Sequence, residues 1–123
     1  MQITLKRLEA AYPVLERLSR QQMPAQVSFR LARLQQAIAP DVQQLEAERV
    51  KLVKEYGQQL ENGDWQVEAE RVPEFTREYQ QLLATEVAVA VSPIPITALP
   101  DSLQLSPMEM LALDFLIVEP DEA

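Results

Sequence analysis

Apolar side chains recur in steps of three and four over much of the chain, the spacing that gathers them on one face of an α-helix. Leu5, Leu8, Tyr12, Leu15 and Leu18 make a first stripe. Pro13 falls inside it and removes a backbone donor, so the pattern predicts either a kinked helix or a short turn followed by a second start. Met23-Pro24 breaks the stripe, and Pro24 fits the first position of a new helix, where its missing N–H would go unpaired in any case. Val27, Leu31, Leu34, Ile38, Val42, Leu45, Leu52 and Tyr56 then follow at near-heptad spacing, with Arg49 the one seam position that is not apolar. Pro40 should bend this helix without ending it, and Gly57 supplies a natural C-terminal cap. A helix over residues 25–56 would be about 48 Å long at about 1.5 Å per residue. Such a rod exceeds what the rest of the chain is expected to cover. That favours a helical hairpin with the first helix, a partner subunit, or both; the alternative is an ordinary intramolecular core.

Beyond Gly57 the pattern shortens. Leu60 to Val67 centres on Asn62-Gly63, a pair suited to a tight turn, and predicts a loop or a small β-hairpin. Pro73 opens a third helix in which Phe75, Tyr79, Leu82 and Leu83 share a face, ending near Thr85. Glu86 to Val91 alternates β-branched residues with alanine, the period of a strand. Pro93 and Pro95 confine it to an edge, or to a short pair with Ile94 to Leu99. Ser106-Pro107-Met108-Glu109 is a capping box, so a last helix starts there and carries Met110, Leu111, Leu113 and Phe115. The expected fold is mainly α with a small β element: a long helical hairpin, a short β-hairpin or edge strands, and a short C-terminal helix. The expected organisation is a single helical domain over residues 1–118 with an acidic tail over 119–123.

Composition removes several alternatives. The chain has 123 residues, 47% of them hydrophobic and 24% charged, which suits one folded domain. It has no cysteine, hence no disulfide framework and no cysteine zinc site, as expected of a reducing cytosol. No apolar stretch of signal-peptide length follows the N-terminus, and the apolar runs at Val87 to Val91 and Met110 to Val118 fall short of a membrane span. The net charge of −8 is uneven. Residues 1–57 hold nine Lys or Arg against six Asp or Glu, and residues 58–123 hold two against thirteen. With a pI near 4.5, duplex DNA is not an expected partner. The basic half instead suits a small anion or the acidic half of another subunit.

Catalytic chemistry is sparse. The chain has no histidine and no cysteine, and Gly57 and Gly63 are its only glycines, so catalytic triads and Gly-rich phosphate loops are excluded. Glu68, Glu70, Glu74 and Glu78 crowd one region, but acidic residues at a helix start complement its dipole, and no metal or other cofactor is expected. The candidates for holding an anion or nucleotide are Arg30, Arg33, Arg49, Lys51 and Lys54, with Tyr56, Trp65 and Tyr79 as stacking surfaces. Arg49 stands out because its seam position should bury its stem and force its charge to find a partner.

The run Glu48 to Gly57, then Glu61-Asn62-Gly63, Glu74-Phe75 through Leu82-Leu83, and Glu86-Val87 resembles a family of small bacteriophage and prophage proteins. Its members share a helix ending in R-x-x-L-x-x-K-Y-G, an Asn-Gly loop, an E-F helix, an E-V strand and an L-x-L-x-P helix start. Here the last is Leu103-Gln104-Leu105-Ser106-Pro107. The likeness spans residues 24–118 through short motifs, and it departs at Lys54-Glu55-Tyr56, where the basic residue is not adjacent to the tyrosine. The family has no established activity, so no residue inherits a role. What the resemblance implies is a setting, the bacterial host cytoplasm during infection or lysogeny. The function expected there is that of a non-enzymatic accessory protein. It would form a homo-oligomer through the helix over residues 25–56 and inhibit host antiviral defence by sequestering a nucleotide immune signal or binding a defence protein. The alternative is a virion structural or assembly protein.

Overall fold

A computed structural model describes residues 1–119, so of the expected acidic tail only Glu119 lies among the described residues. The described residues are 59% helical with a few short strands, the mainly α architecture that the apolar spacing predicts. Strand β1 (Gln2–Thr4) leads into helix α1 (Leu5–Leu18), and the Thr4 hydroxyl caps it by accepting the Arg7 N–H at 3.4 Å. Helix α2 (Ala25–Tyr56) follows. Neither internal proline breaks its helix. Pro13 and Pro40 are both exposed, as are Glu9 and Gln36, whose carbonyls they leave unbonded, so water can satisfy those groups. Pro24 sits just outside α2 and not at its first position, with its carbonyl accepting the Ser28 N–H at 3.0 Å.

The apolar seam is covered by the chain itself. Val27, Leu31, Leu34, Ile38 and Leu45 lie in one buried cluster with Leu5, Leu8, Leu15 and Leu18 of α1. Of the alternatives the seam left open, cover by the chain's own helices is the one observed, so any partner of α2 must use its opposite face. There Phe29 is 61% exposed and Val50 is also open to solvent.

Gly57 does not cap α2 in a left-handed conformation. Its φ of −125° and ψ of −175° are extended, and it begins strand β2 (Gly57–Gln59), antiparallel to β3 (Trp65–Val67). Glycine is required for a different reason, because a Cβ there would lie 2.4 Å from the Gln66 carbonyl oxygen and 2.5 Å from that of Val53. The left-handed position is Gly63 at the hairpin turn, with φ +91°. Helix α3 (Val72–Leu83) packs on α2, and strand β4 (Glu86–Ala88) pairs antiparallel with β1 and not with the Ile94 to Leu99 stretch. Strand β5 (Ile94–Pro95) runs parallel to β6 (Ile117–Val118).

Helix α4 (Pro107–Ala112) has the expected capping box, Ser106 accepting the Glu109 N–H while the Glu109 carboxylate accepts the Ser106 N–H. It is shorter than expected, since Leu113 is already its C-cap and Phe115 lies in the turn beyond. The closing segment is held to α1 by ion pairs of Arg7 with Asp114 and of Arg17 Nε with Glu109 at 2.6 Å. Leu113 and Leu116 then enter the core fully buried. Among the described residues no helix is long and apolar enough to cross a membrane.

Replacing the wholly buried Leu8 by alanine should lower unfolding free energy by about 2–5 kcal/mol, whereas Leu111→Ala on the exposed side of α4 should change it by under about 0.5 kcal/mol. Urea titration of both variants measures the difference.

Candidate functional site

The structure divides the eight candidate residues into groups. Arg30 and Arg33 sit in the first third of α2, where a groove of about 480 Å³ opens between that helix and the extended segment Ala90 to Ser92. This volume lies within the range of small-ligand pockets. Phe29, Leu34 and Ala37 give it an apolar wall. The Arg30 guanidinium donates to the Pro93 carbonyl at 3.3 Å, which steadies it at the groove's edge, and the Arg33 guanidinium stands 5.2 Å above the Phe29 ring. Neither arginine has a carboxylate within ion-pair distance among the described residues. The backbone amides of Ala90, Val91 and Ser92 donate to no protein acceptor among those residues either.

Arg49, Lys54 and Trp65 gather about 21 residues further along, roughly 32 Å away by helical rise. With Val50 and Val53 they line a shallow hollow of about 200 Å³, and Lys54 Nζ lies 5.9 Å from the Trp65 ring centroid. Arg49 does find the partner its seam position demanded. Its Nε donates to Glu46 at 2.9 Å and its Nη2 meets the other oxygen of the same carboxylate. The guanidinium is raised above its ordinary pKa by that pairing, and the Glu46 carboxyl is held below its own by it. The Arg49 side chain is only half-buried. Lys51 is similarly engaged, with Glu48 at 3.2 Å. A phosphate arriving at either cation would have to displace a carboxylate on the same helix.

Tyr56 and Tyr79 are not free stacking platforms. Tyr56 is buried under the Arg71 guanidinium, 4.5 Å from its ring, and the Glu78 carboxylate at its hydroxyl raises its pKa. Tyr79 stacks on Phe75 with ring centroids 5.9 Å apart and donates its hydroxyl proton to the Glu9 carboxylate. Burial, followed by that hydrogen bond, pushes its pKa up to about 12. Around it α1 supplies Glu9, α2 supplies Arg49 and Glu46, and α3 supplies Tyr79 itself, a polar network where three helices meet. Arg49 and Tyr79 are thus near enough to influence each other's charge, each with its own carboxylate partner. Glu68, Glu70 and Glu74 are exposed, and among the described residues no acidic group converges on a cation position.

Sequence reasoning missed Phe29 and the Ala90 to Ser92 segment. Phe29 stands four residues before Arg33, so helical spacing alone puts the two on one face, and that signal was present. Nothing in the sequence signals that Ala90 to Ser92 would lie across from Arg30, because the pairing depends on where β1 and α1 carry β4. Comparison with known proteins finds no family model, curated protein or solved structure that matches the chain.

Because its protonated form is favoured by folding, Tyr79 contributes stability that is complete below the ordinary tyrosine pKa, near 10, and is lost as pH rises toward about 12. In an ultraviolet titration Tyr79 should be the tyrosine removed from the signal by Tyr79→Phe near pH 12. Glu9→Gln, which deletes the carboxylate at its hydroxyl, should move that step to lower pH.

Proposed function

We propose that this chain is a non-catalytic, phage-encoded accessory protein that holds an anionic, nucleotide-type ligand in the groove between α2 and Ala90 to Ser92, and so withdraws a nucleotide immune signal from the host. The single observation that carries the reading is the pair of carboxylate-free arginines on one wall of that groove, facing a segment whose amides have no protein acceptor among the described residues. Arginine presents a planar fork of donors that fits two phosphate oxygens at once, and free amides and the Ser92 hydroxyl add further donors for an anion. The apolar wall of Phe29, Leu34 and Ala37 suits the flat side of a base. The absence of histidine, cysteine and a Gly-rich loop supports capture over turnover. The resemblance to phage proteins supports an infected bacterial cytoplasm as the setting.

Self-association through α2 belongs to the same reading. The exposed outer face of that helix also favours a second reading, a virion or assembly part, in which the rod packs against other copies during particle building. Deleting the gene distinguishes them, because normal infectious particles that fail only on hosts with nucleotide-signalling defence fit capture, and stalled particles fit assembly.

A thermal-shift panel of cyclic dinucleotides and ADP-ribose-type nucleotides tests the groove directly. The matching ligand, at about 100 times its dissociation constant, should stabilise the protein by about 2.7 kcal/mol. Arg30→Glu with Arg33→Glu should abolish that shift, and Lys51→Glu, already paired within the helix, should leave most of it. No shift with any member of the panel, together with no bound small molecule in protein purified from infected cells, would overturn the reading.

A further inference from the structure

Helix α2 keeps one whole side free. Phe29, Gln36, Pro40, Gln43, Ala47 and Val50 are all exposed, and they fall on the side opposite Leu31, Ile38 and Leu45. Phe29 and Val50 lie three heptads apart, so they share a face of the rod. Each end of this face has a feature that folding leaves unused. Near the N-terminal end the Phe29 ring projects with 61% of its surface in solvent. At the far end Arg49, Val50, Val53, Lys54 and Trp65 line the shallow hollow of about 200 Å³, with Trp65 itself 40% exposed.

The charges at the two ends are opposite. Residues 18–40 carry Arg20, Arg30 and Arg33 and no acidic side chain. Residues 57–74 carry Glu61, Asp64, Glu68, Glu70 and Glu74 against Arg71 alone. Two rods laid side by side in the same direction would set acidic hairpin against acidic hairpin and arginine against arginine. Laid in opposite directions, each basic end meets an acidic end.

We infer that a second copy of this chain covers the outer face of α2 in antiparallel orientation, with the Phe29 ring of each copy seated in the hollow beside the other copy's Trp65. The inference rests on the self-association proposed above and fixes its geometry. With Phe29 opposite Val50, the two-fold axis passes between Ala39 and Pro40, whose short side chains let the helices approach. The interface is isologous, two identical knobs in two identical sockets, and it closes at two copies.

The chain has no cysteine, so Gln26→Cys and Gln43→Cys can each carry a single spin label at an exposed position. Light scattering should give a dimer. Antiparallel pairing sets the two labels at position 26 about 40 Å apart along the axis and those at position 43 about 10 Å apart, whereas parallel pairing gives the same short separation at both. Phe29→Asp, at a site too exposed to matter to the core, should retain helical circular dichroism, yield monomers, and shift the emission of Trp65, the chain's only tryptophan, to the red. A monomer at every concentration tested overturns both the self-association and this geometry. A dimer with short separations at both labels overturns the geometry alone, as does a dimer that survives Phe29→Asp with Trp65 emission unchanged.

Discussion

An unbroken helix of 32 residues persists in water only if one long face of it is buried, and in this chain every other element is placed by that requirement. Helix α1, at 14 residues, is long enough to cover less than half of α2. It does so with Leu8, Leu15 and Leu18 against Leu31, Leu34 and Ile38 in the common buried cluster. The far half needs other cover, which comes from α3 and the β2–β3 hairpin. The small strands are consequences of this arrangement. β4 pairs with β1 because α3 returns the chain to the start of α1, where the Thr85 carbonyl accepts the Leu5 N–H at 2.9 Å. The final segment folds back over α1 through Arg17 and Glu109, and that link fastens the outer side of the helical pair.

The same helix sorts its own charges. Glu46 and Glu48 each stand three residues before a cation, so Arg49 and Lys51 are neutralised locally by helical spacing. Exposed pairs of this kind contribute little to stability, but they decide which cations remain available to an outside anion. Between Ala25 and Pro40 the helix has no acidic residue at all, and Arg30 and Arg33 have no carboxylate partner among the described residues. The start of α2, where Ala90 to Ser92 crosses, thus presents two arginines without a carboxylate partner, while at the far end Arg49 and Lys51 are held by carboxylates and Lys54 alone lies over the Trp65 ring.

Periodicity carried most of the helical architecture: α1 has the bounds its stripe implied, and the Ser106 capping box marked the start of α4. It could not reveal which face of α2 would be covered, because coverage depends on the combined reach of α1, α3 and the hairpin, a sum that no local window contains. Gly57 shows the same limit at one residue. Its position after a helix suggested a C-terminal cap, while the actual constraint is the approach of the Gln66 carbonyl from a strand eight or more residues away. The β1–β4 pairing joins residues more than 80 apart and left no trace in the alternation of Glu86 to Val91 beyond its strand character. At the candidate site, residue type identified Arg30 and Arg33 correctly as cations, but only the fold distinguishes them from Arg49, Lys51 and the two engaged tyrosines.

Phe29 ties these threads together. Burial of a phenylalanine side chain contributes about 1.5–3 kcal/mol, and here most of that contribution is unused by the chain's own fold. The ring touches the groove on one side and carries the Arg33 guanidinium over its face, so it already helps to place one of the groove's two arginines. Its other side meets solvent on a helix face flanked by glutamine and alanine, where it adds nothing to the core. A single position thus stands at the boundary between the groove and the outer face of α2, and any molecule that covers that face will also set how Arg33 is presented to a ligand.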